Sequence, residues 1–390
     1  MYDVKTFNAI AQSGLDTFTN DFEINQTDDP DAYLIRSVNL LEAEFPQNLK
    51  TIVRAGAGVN NVPVDKATQQ GIAVFNTPGS NANAVKELVI SLMVATARNL
   101  FAANNYSNEH TEADVSQRTE KDKTKFNGTE LAGKRLAVIG LGNVGSMVAN
   151  AALALGMKVI GYDPYLSANA AWRINNRVKR VDSIKKAVRT ADFVTVHVPK
   201  NDDTVGLIGT KEIADMKAGV TLFNYSRIGI VDNRAVVKAI RTEKINHYCT
   251  DFGEPVIADS DKITITPHIG GSTLEAESNG AVQGANTVMN YLENGDTTNC
   301  VNLPNMQVGF ETAYRITVIH QNVPNMVGQI STQLANRNIN IENMANAAKD
   351  KVAYTIIDSD SLNQNNEDEL ISTLNDIAEV YRARVIKHQG

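Results

Sequence analysis

Cysteine is almost absent: Cys249 and Cys300 are the only two in 390 residues. That excludes a disulfide-stapled fold, and because neither sits at metal-ligand spacing it leaves no metal site to expect. Both lie among apolar residues and are expected to be reduced, half-buried thiols. Basic runs are missing too: no five Lys or Arg stand together, and the formal net charge is -7, which excludes a nucleic-acid footprint. No stretch reaches the roughly 18 apolar residues of a membrane span. The start, MYDVKTFNAI, lacks the basic-then-apolar order of a secretory leader, so a cytoplasmic chain with no membrane or nucleic-acid partner is expected. Small molecules remain as ligands, and the length predicts two or three domains.

The segment KRLAVIGLGNVGSMVA (134–149) stands out. An apolar strand runs into three glycines and then a small-residue helix, which shapes a backbone to hold a pyrophosphate. Gly140 permits the tight turn, Gly142 lets the main chain approach phosphate, and Gly145 allows close helix-to-strand packing. A second strand, Met157 to Tyr162, ends at Asp163, an acid suited to the ribose hydroxyls of NAD and repelling to the 2′-phosphate of NADP.

Around this motif the patterning predicts an α/β chain. Short apolar runs at Ala32 to Ile35, Thr51 to Val53 and Ile72 to Phe75 read as a small parallel unit. An apolar-rich helix over Asn83 to Leu100 is expected to pack between lobes or subunits, and the charged stretch from Glu109 to Lys125 reads as a solvated helix or arm. Six strands follow between Leu136 and Thr266, the number a doubly wound dinucleotide domain requires. After the long helix Leu274 to Leu292 comes a tail of βαββαβ order, with strands at Tyr314 to Ile319, Ile339 to Met344, Ala353 to Ile357 and Tyr381 to Ile386, a ferredoxin-like module.

Two further motifs fall at strand ends, where open α/β sheets bind ligands. NYSRIG carries Arg227 and TPHIGGST carries His268. Oxidising a 2-hydroxy acid needs a base for the hydroxyl proton and a cation for the carboxylate, tasks that suit imidazole and guanidinium. Glu254 in DFGEP is the candidate to orient the imidazole. The loop RAGAGVNN, with Gly56 and Gly58, could turn free N–H groups toward a carboxylate. Arg36 and Ser37 end a strand of the same lobe.

In this order the motifs resemble those of the D-isomer-specific 2-hydroxy-acid dehydrogenases, the phosphoglycerate-oxidising branch above all. The segments that carry the resemblance are RAGAGVNNVPVDKATQQGIAVFNTPGSNANAVKEL, GTELAGKRLAVIGLGNVG, HVP, NYSRIGIVD, TPHIGGST, and YLENG followed by VNLP. It implies two Rossmann-like or flavodoxin-like lobes, 1–82 completed by about 275–304 and an NAD-binding domain over 83–274, plus an ACT regulatory domain at 310–390. The implied activity is NAD-dependent oxidation of 3-phospho-D-glycerate to 3-phosphooxypyruvate, the first step of serine biosynthesis, by a homodimer or homotetramer. His268 would be the general acid/base, Glu254 its partner and Arg227 the carboxylate clamp. Gly140, Gly142, Asn143, Val144, Gly145, Asp163, His197, Val198, Pro199, Thr204, Tyr225, Ser226, Asp251 and Gly271 would contact NAD. Arg36, Ser37, Gly56, Ala57, Gly58 and Val59 would hold substrate, Arg36 taking the phosphate. His320, Asn322 and Asn340 match the residues that hold L-serine in related ACT domains, with Asn325 replacing the usual turn glycine. The DFGEP segment is two residues shorter than the family's pattern. The alternatives are a dehydrogenase of glycerate, lactate or 2-hydroxyglutarate, or an NAD-sensing protein of the corepressor kind.

Overall fold

The computed structural model describes residues 1–388 apart from 111, 259 and 363. Its contacts divide the chain into two units, one made of Met1–Asn81 with the chain from Leu274 onward, the other of Ala82–Thr273.

The first unit opens with five strands, β1 (Tyr2–Thr6), β2 (Phe22–Ile24), β3 (Ala32–Ile35), β4 (Thr51–Arg54) and β5 (Ala73–Asn76). They form a parallel sheet in the order β2-β1-β3-β4-β5. All four residues of β3 are buried, as befits a strand covered on both faces. The patterning revealed the strands at 32–35, 51–54 and 73–76 but not β1 or β2, because YDVKT buries only Val4 and FEI only Phe22.

The second unit holds β6 (Arg135–Ile139), β7 (Lys158–Tyr162), β8 (Lys179–Arg180), β9 (Phe193–Val196), β10 (Val220–Asn224), β11 (Ile245–Thr250) and β12 (Ile263–Ile265). Among the described residues seven strands, not six, run parallel in the order β12-β11-β10-β9-β6-β7-β8. The chain reverses its direction of growth between β6 and β9, the place where such sheets bind ligands. The helix Ala82–Ala97, expected as a bridge, is part of this unit's own core. Its Val85, Val89, Leu92 and Met93 pack with Val148, Ala149 and Ala152 of the glycine-turn helix Asn143–Ala154.

The chain then returns to the first unit. The helix Leu274–Asn294 lies on β3 and β4 along a seam of small residues, where a Cβ on Gly284 would fall 2.8 Å from Leu34 Cδ1. The tail forms β13 (Tyr314–Gln321), β14 (Asn343–Lys349), β15 (Val352–Ser359) and β16 (Val380–Lys387), an antiparallel sheet in the order β14-β15-β13-β16 with two helices, Met326–Ala335 and Gln364–Asn375. The ferredoxin-like order is as expected, but β14 starts at Asn343 and not at Ile339. The Ile339 N–H closes the preceding helix on Leu334 O at 3.0 Å, so Ile339 belongs to a helix end. Asn325 takes φ +68°, so the turn survives with asparagine in place of glycine.

One face of this sheet packs on its two helices. The other shares a core with the first lobe, Ile319, Tyr354 and Ile356 meeting Phe75, Tyr291, Leu292 and Cys300. Arginines close the seam. Arg384 stacks on the Tyr291 ring at 4.3 Å and donates to the carbonyls of Tyr291 and Leu292, near the C-terminal end of the 274–294 helix, where cations are favoured. Arg382 donates to Leu49 O at 2.6 Å. Both cysteines are fully rather than half buried, Cys249 in β11 and Cys300 in this seam. Burial pushes their thiols up to about 12 and about 11, so they stay protonated and inert.

Candidate active site

The glycine turn follows β6. Gly140 has φ +88°, and a Cβ there would lie 2.5 Å from His197 O; one on Gly145 would collide with Gly140 O. Protein packing therefore demands both glycines. Gly142 differs, since a Cβ there would meet nothing within 4 Å. The space beside it opens into a cavity of about 370 Å³ lined by Gly140, Gly142, Asp163, Tyr165, His197, Val198, Pro199 and Thr204 among others. Asp163 ends β7 and accepts from Leu141 N and Tyr165 N, both at 2.9 Å, tying the acid to the turn. Thr204 donates to Pro199 O at 2.6 Å and fixes the loop after β9. His197 pairs through Nε2 with Thr195 Oγ1 at 2.9 Å, while its buried Nδ1 is unpartnered. Burial lowers this imidazole to about 3, so it acts as a neutral hydrogen-bonding group.

The ends of β10, β11 and β12 carry the remaining chemistry of this unit. Asp251 is buried, and its carboxylate accepts from Thr266 Oγ1 at 2.6 Å, Ile269 N at 2.9 Å and Gly270 N at 2.7 Å. His268 N donates to Asp251 O at 3.1 Å. The whole turn carrying His268 is thus wrapped around one carboxylate, and Gly271 follows in the same turn. His268 itself is exposed, has φ +57°, and touches the edge of the Phe252 ring. A non-glycine residue in the left-handed region costs energy and points to a functional constraint. Arg227 is exposed after β10, its Nη1 donating to Ser226 O at 2.7 Å. Tyr225 and Ser226 are buried, the Ser226 hydroxyl bonded to Val196 O.

The expected pairing of His268 with Glu254 is not formed. Glu254 accepts from Asn233 Nδ2 instead, and among the described residues the His268 ring has no hydrogen-bond partner. The shortened DFGEP segment is the physical reason: Glu254 leads directly into the 3-10 turn Pro255–Ile257, beside the helix that begins at Asn233.

In the first unit, the loop after β4 has its carbonyls turned inward. Gly56 O accepts from Thr77 N at 3.1 Å, Ala57 O from Asn76 Nδ2 at 2.7 Å and Gly58 O from Arg54 Nη1 at 2.7 Å. The N–H groups of Ala57, Gly58 and Val59 have no acceptor among the described residues. Arg54, which motif reading passed over, also donates through Nε to Arg36 O at 3.0 Å. It joins the loop to Arg36, whose guanidinium meets Glu277 Oε1 at 2.5 Å. Ser37 is exposed beside it.

The three residues matched to an effector site each have partners within the chain. His320 is buried with both ring nitrogens paired, to Gln321 O at 2.7 Å and Thr355 Oγ1 at 2.9 Å, so it is a satisfied core histidine. Asn322 donates to Asp350 O, and Asn340 to Glu342 Oε1.

A glycine turn at the reversal point of a parallel sheet, an acid following the next strand, and a histidine and an arginine after two further strands of the same sheet define a dinucleotide-binding domain of the dehydrogenase type. The chain belongs to the D-isomer-specific 2-hydroxyacid dehydrogenase family. The family's NAD-binding-domain model matches residues 90–270. A protein of Saccharomyces cerevisiae called D-3-phosphoglycerate dehydrogenase 1 is 30% identical over 381 residues, 90% of this chain and 77% of its own. A D-3-phosphoglycerate dehydrogenase of Archaeoglobus fulgidus is 38% identical over 288 residues, covering 71% of this chain and 52% of that one. The chain spans about half the length of the first three such relatives, 52%, 49% and 53%. Among solved structures, the NAD-bound 3-phosphoglycerate dehydrogenase of Entamoeba histolytica aligns with a TM-score of 0.60 at 24% identity, over 77% of this chain and 98% of that one, which shows the shared fold. No helix among the described residues is long and apolar enough to cross a membrane.

The chain's cofactor is NAD, and the residues present fit it. Gly142 faces open space, the buried Nδ1 of His197 lacks a partner beside the same cavity, and the Asp163 carboxylate suits ribose hydroxyls. Gly142→Ala is therefore expected to leave the melting temperature unchanged and to weaken NADH binding at least about tenfold, roughly 1.4 kcal/mol. Fluorescence titration checks it, and Gly145→Ala, which collides with backbone, is the contrasting variant that fails to fold.

Proposed function

We propose that the chain is a D-3-phosphoglycerate dehydrogenase, oxidising 3-phospho-D-glycerate at C2 with NAD. NAD, when bound, supplies the hydride acceptor. His268 takes the C2 hydroxyl proton on a ring nitrogen, held in place by the turn around Asp251. In the NAD-binding unit Arg227 offers a guanidinium to a carboxylate; in the first unit the N–H groups of Ala57, Gly58 and Val59 offer theirs. Arg36 binds the phosphate.

The single observation that carries the substrate reading is the pair of anion receptors that Arg54 ties together, the loop at Gly58 and the guanidinium of Arg36. A substrate with a carboxylate at one end and a phosphate at the other uses both. The ion pair between Arg36 and Glu277 favours a second reading, an unphosphorylated 2-hydroxy acid, because Glu277 already neutralises the cation.

Kinetics with 3-phospho-D-glycerate and D-glycerate separate the two. Under the first reading Arg36→Ala raises KM for the phosphorylated substrate by on the order of tenfold or more with little change in kcat, and Glu277→Gln lowers it. Under the second, neither variant moves the preference.

A further inference from the structure

The helix Asn143–Ala154 begins without a cap. Gly142 has no side chain to accept a first-turn N–H, and no acid stands in the first turn. Three other helices of the same unit are capped, Ser167, Ser183 and Asp232 each accepting backbone N–H groups. The positive end of the glycine-turn helix is therefore open.

A cation is brought to that end. Arg173 Nη1 donates to Asn143 Oδ1, on the helix's first residue, at 2.9 Å. Its backbone is fixed farther along the same helix: Asn150 Nδ2 donates to Arg173 O, and Asn175 N donates to Asn150 Oδ1, both at 2.9 Å. Asn143 and Asn150 are two turns apart on one face, a span of roughly 10 Å. The arginine side chain thus runs back along the helix to its N-terminus. Arg173 is exposed, and among the described residues no carboxylate pairs with it. A guanidinium beside the positive end of a helix is unfavourable until an anion joins them.

We infer that Arg173 is a cofactor-binding residue whose guanidinium pairs with the pyrophosphate of NAD. The turn GLGNVG offers N–H donors but no cation, and Arg173 supplies the missing charge from another segment. The pyrophosphate, rather than a 2′-phosphate, is the target because the Asp163 carboxylate stands where a 2′-phosphate would lie. The inference rests on the NAD-binding domain and not on the substrate proposed above.

The test is fluorescence or calorimetric titration of the full chain, Arg173→Ala and Arg173→Lys with NADH, ADP-ribose, adenosine and NADPH. Arg173→Ala should weaken NADH and ADP-ribose by about tenfold, leave adenosine binding and the melting temperature unchanged, and be partly rescued by lysine. Unchanged NADH affinity in Arg173→Ala would overturn the inference. So would an equal loss for adenosine, which would make Arg173 a prop for the loop, or a loss confined to NADPH.

Discussion

His268→Gln is expected to lower kcat by about a hundredfold to ten-thousandfold, the range general-base catalysis contributes, while NADH binds as before. The expectation comes from how the residue is built. An imidazole is held in left-handed backbone, exposed, with its turn secured by three hydrogen bonds to the Asp251 carboxylate and none to the ring itself. The backbone is overdetermined and the ring is left free for a substrate proton. Glutamine keeps the size and polarity of the side chain without a titratable nitrogen, so loss of rate with retained NADH affinity isolates the proton transfer. Single-turnover kinetics beside an NADH titration are the measurement; a variant that keeps its rate would remove His268 from the chemistry.

Asp358→Ala is expected to destabilise the first unit by about 3–5 kcal/mol, the cost of leaving one member of a buried ion pair alone. Arg315 and Asp358 are 1% and 3% exposed and joined by two bonds of 2.6 and 2.9 Å. The same guanidinium donates to Asn294 O at 2.8 Å and Val308 O at 3.0 Å and lies 4.4 Å from the Phe310 ring centre. It fixes the tail sheet to the end of the 274–294 helix and to the connecting segment. Without Asp358 the charge stays buried, held only by neutral carbonyls. Urea unfolding followed by fluorescence and circular dichroism checks the size of the effect. Asp28→Ala, which breaks the exposed pair with Lys5 at 2.9 Å, should produce no measurable change and serves as the control.

The parts of the site that sequence made legible are those where backbone geometry dictates residue type. Gly140 and Gly145 are required by contact with neighbouring backbone, and Gly142 stands where added bulk would meet no protein atom. Arg227, His268 and Asp163 are readable because they follow strand ends in fixed order. What was not legible depends on which partner a side chain selects. Glu254 has Asn233 within reach, and no spacing rule chooses between it and His268. His320 matches an effector residue by position, yet Thr355, 35 residues away, takes its second nitrogen into the core. Arg54 stands in a quoted motif, but its bonds to Arg36 and Gly58 exist only once the loop has closed. Among the strands, β8 escaped notice because its two residues are both exposed.

The proposed reaction moves the C2 hydrogen of 3-phospho-D-glycerate to NAD. Incubating the chain with NAD and 3-phospho-D-glycerate deuterated at C2, and analysing the reduced cofactor by mass spectrometry, tests it most directly. Deuterium in the NADH, with little formed from D-glycerate, is the result predicted. Unlabelled NADH, no NADH at all, or equal labelling from deuterated D-glycerate would contradict it.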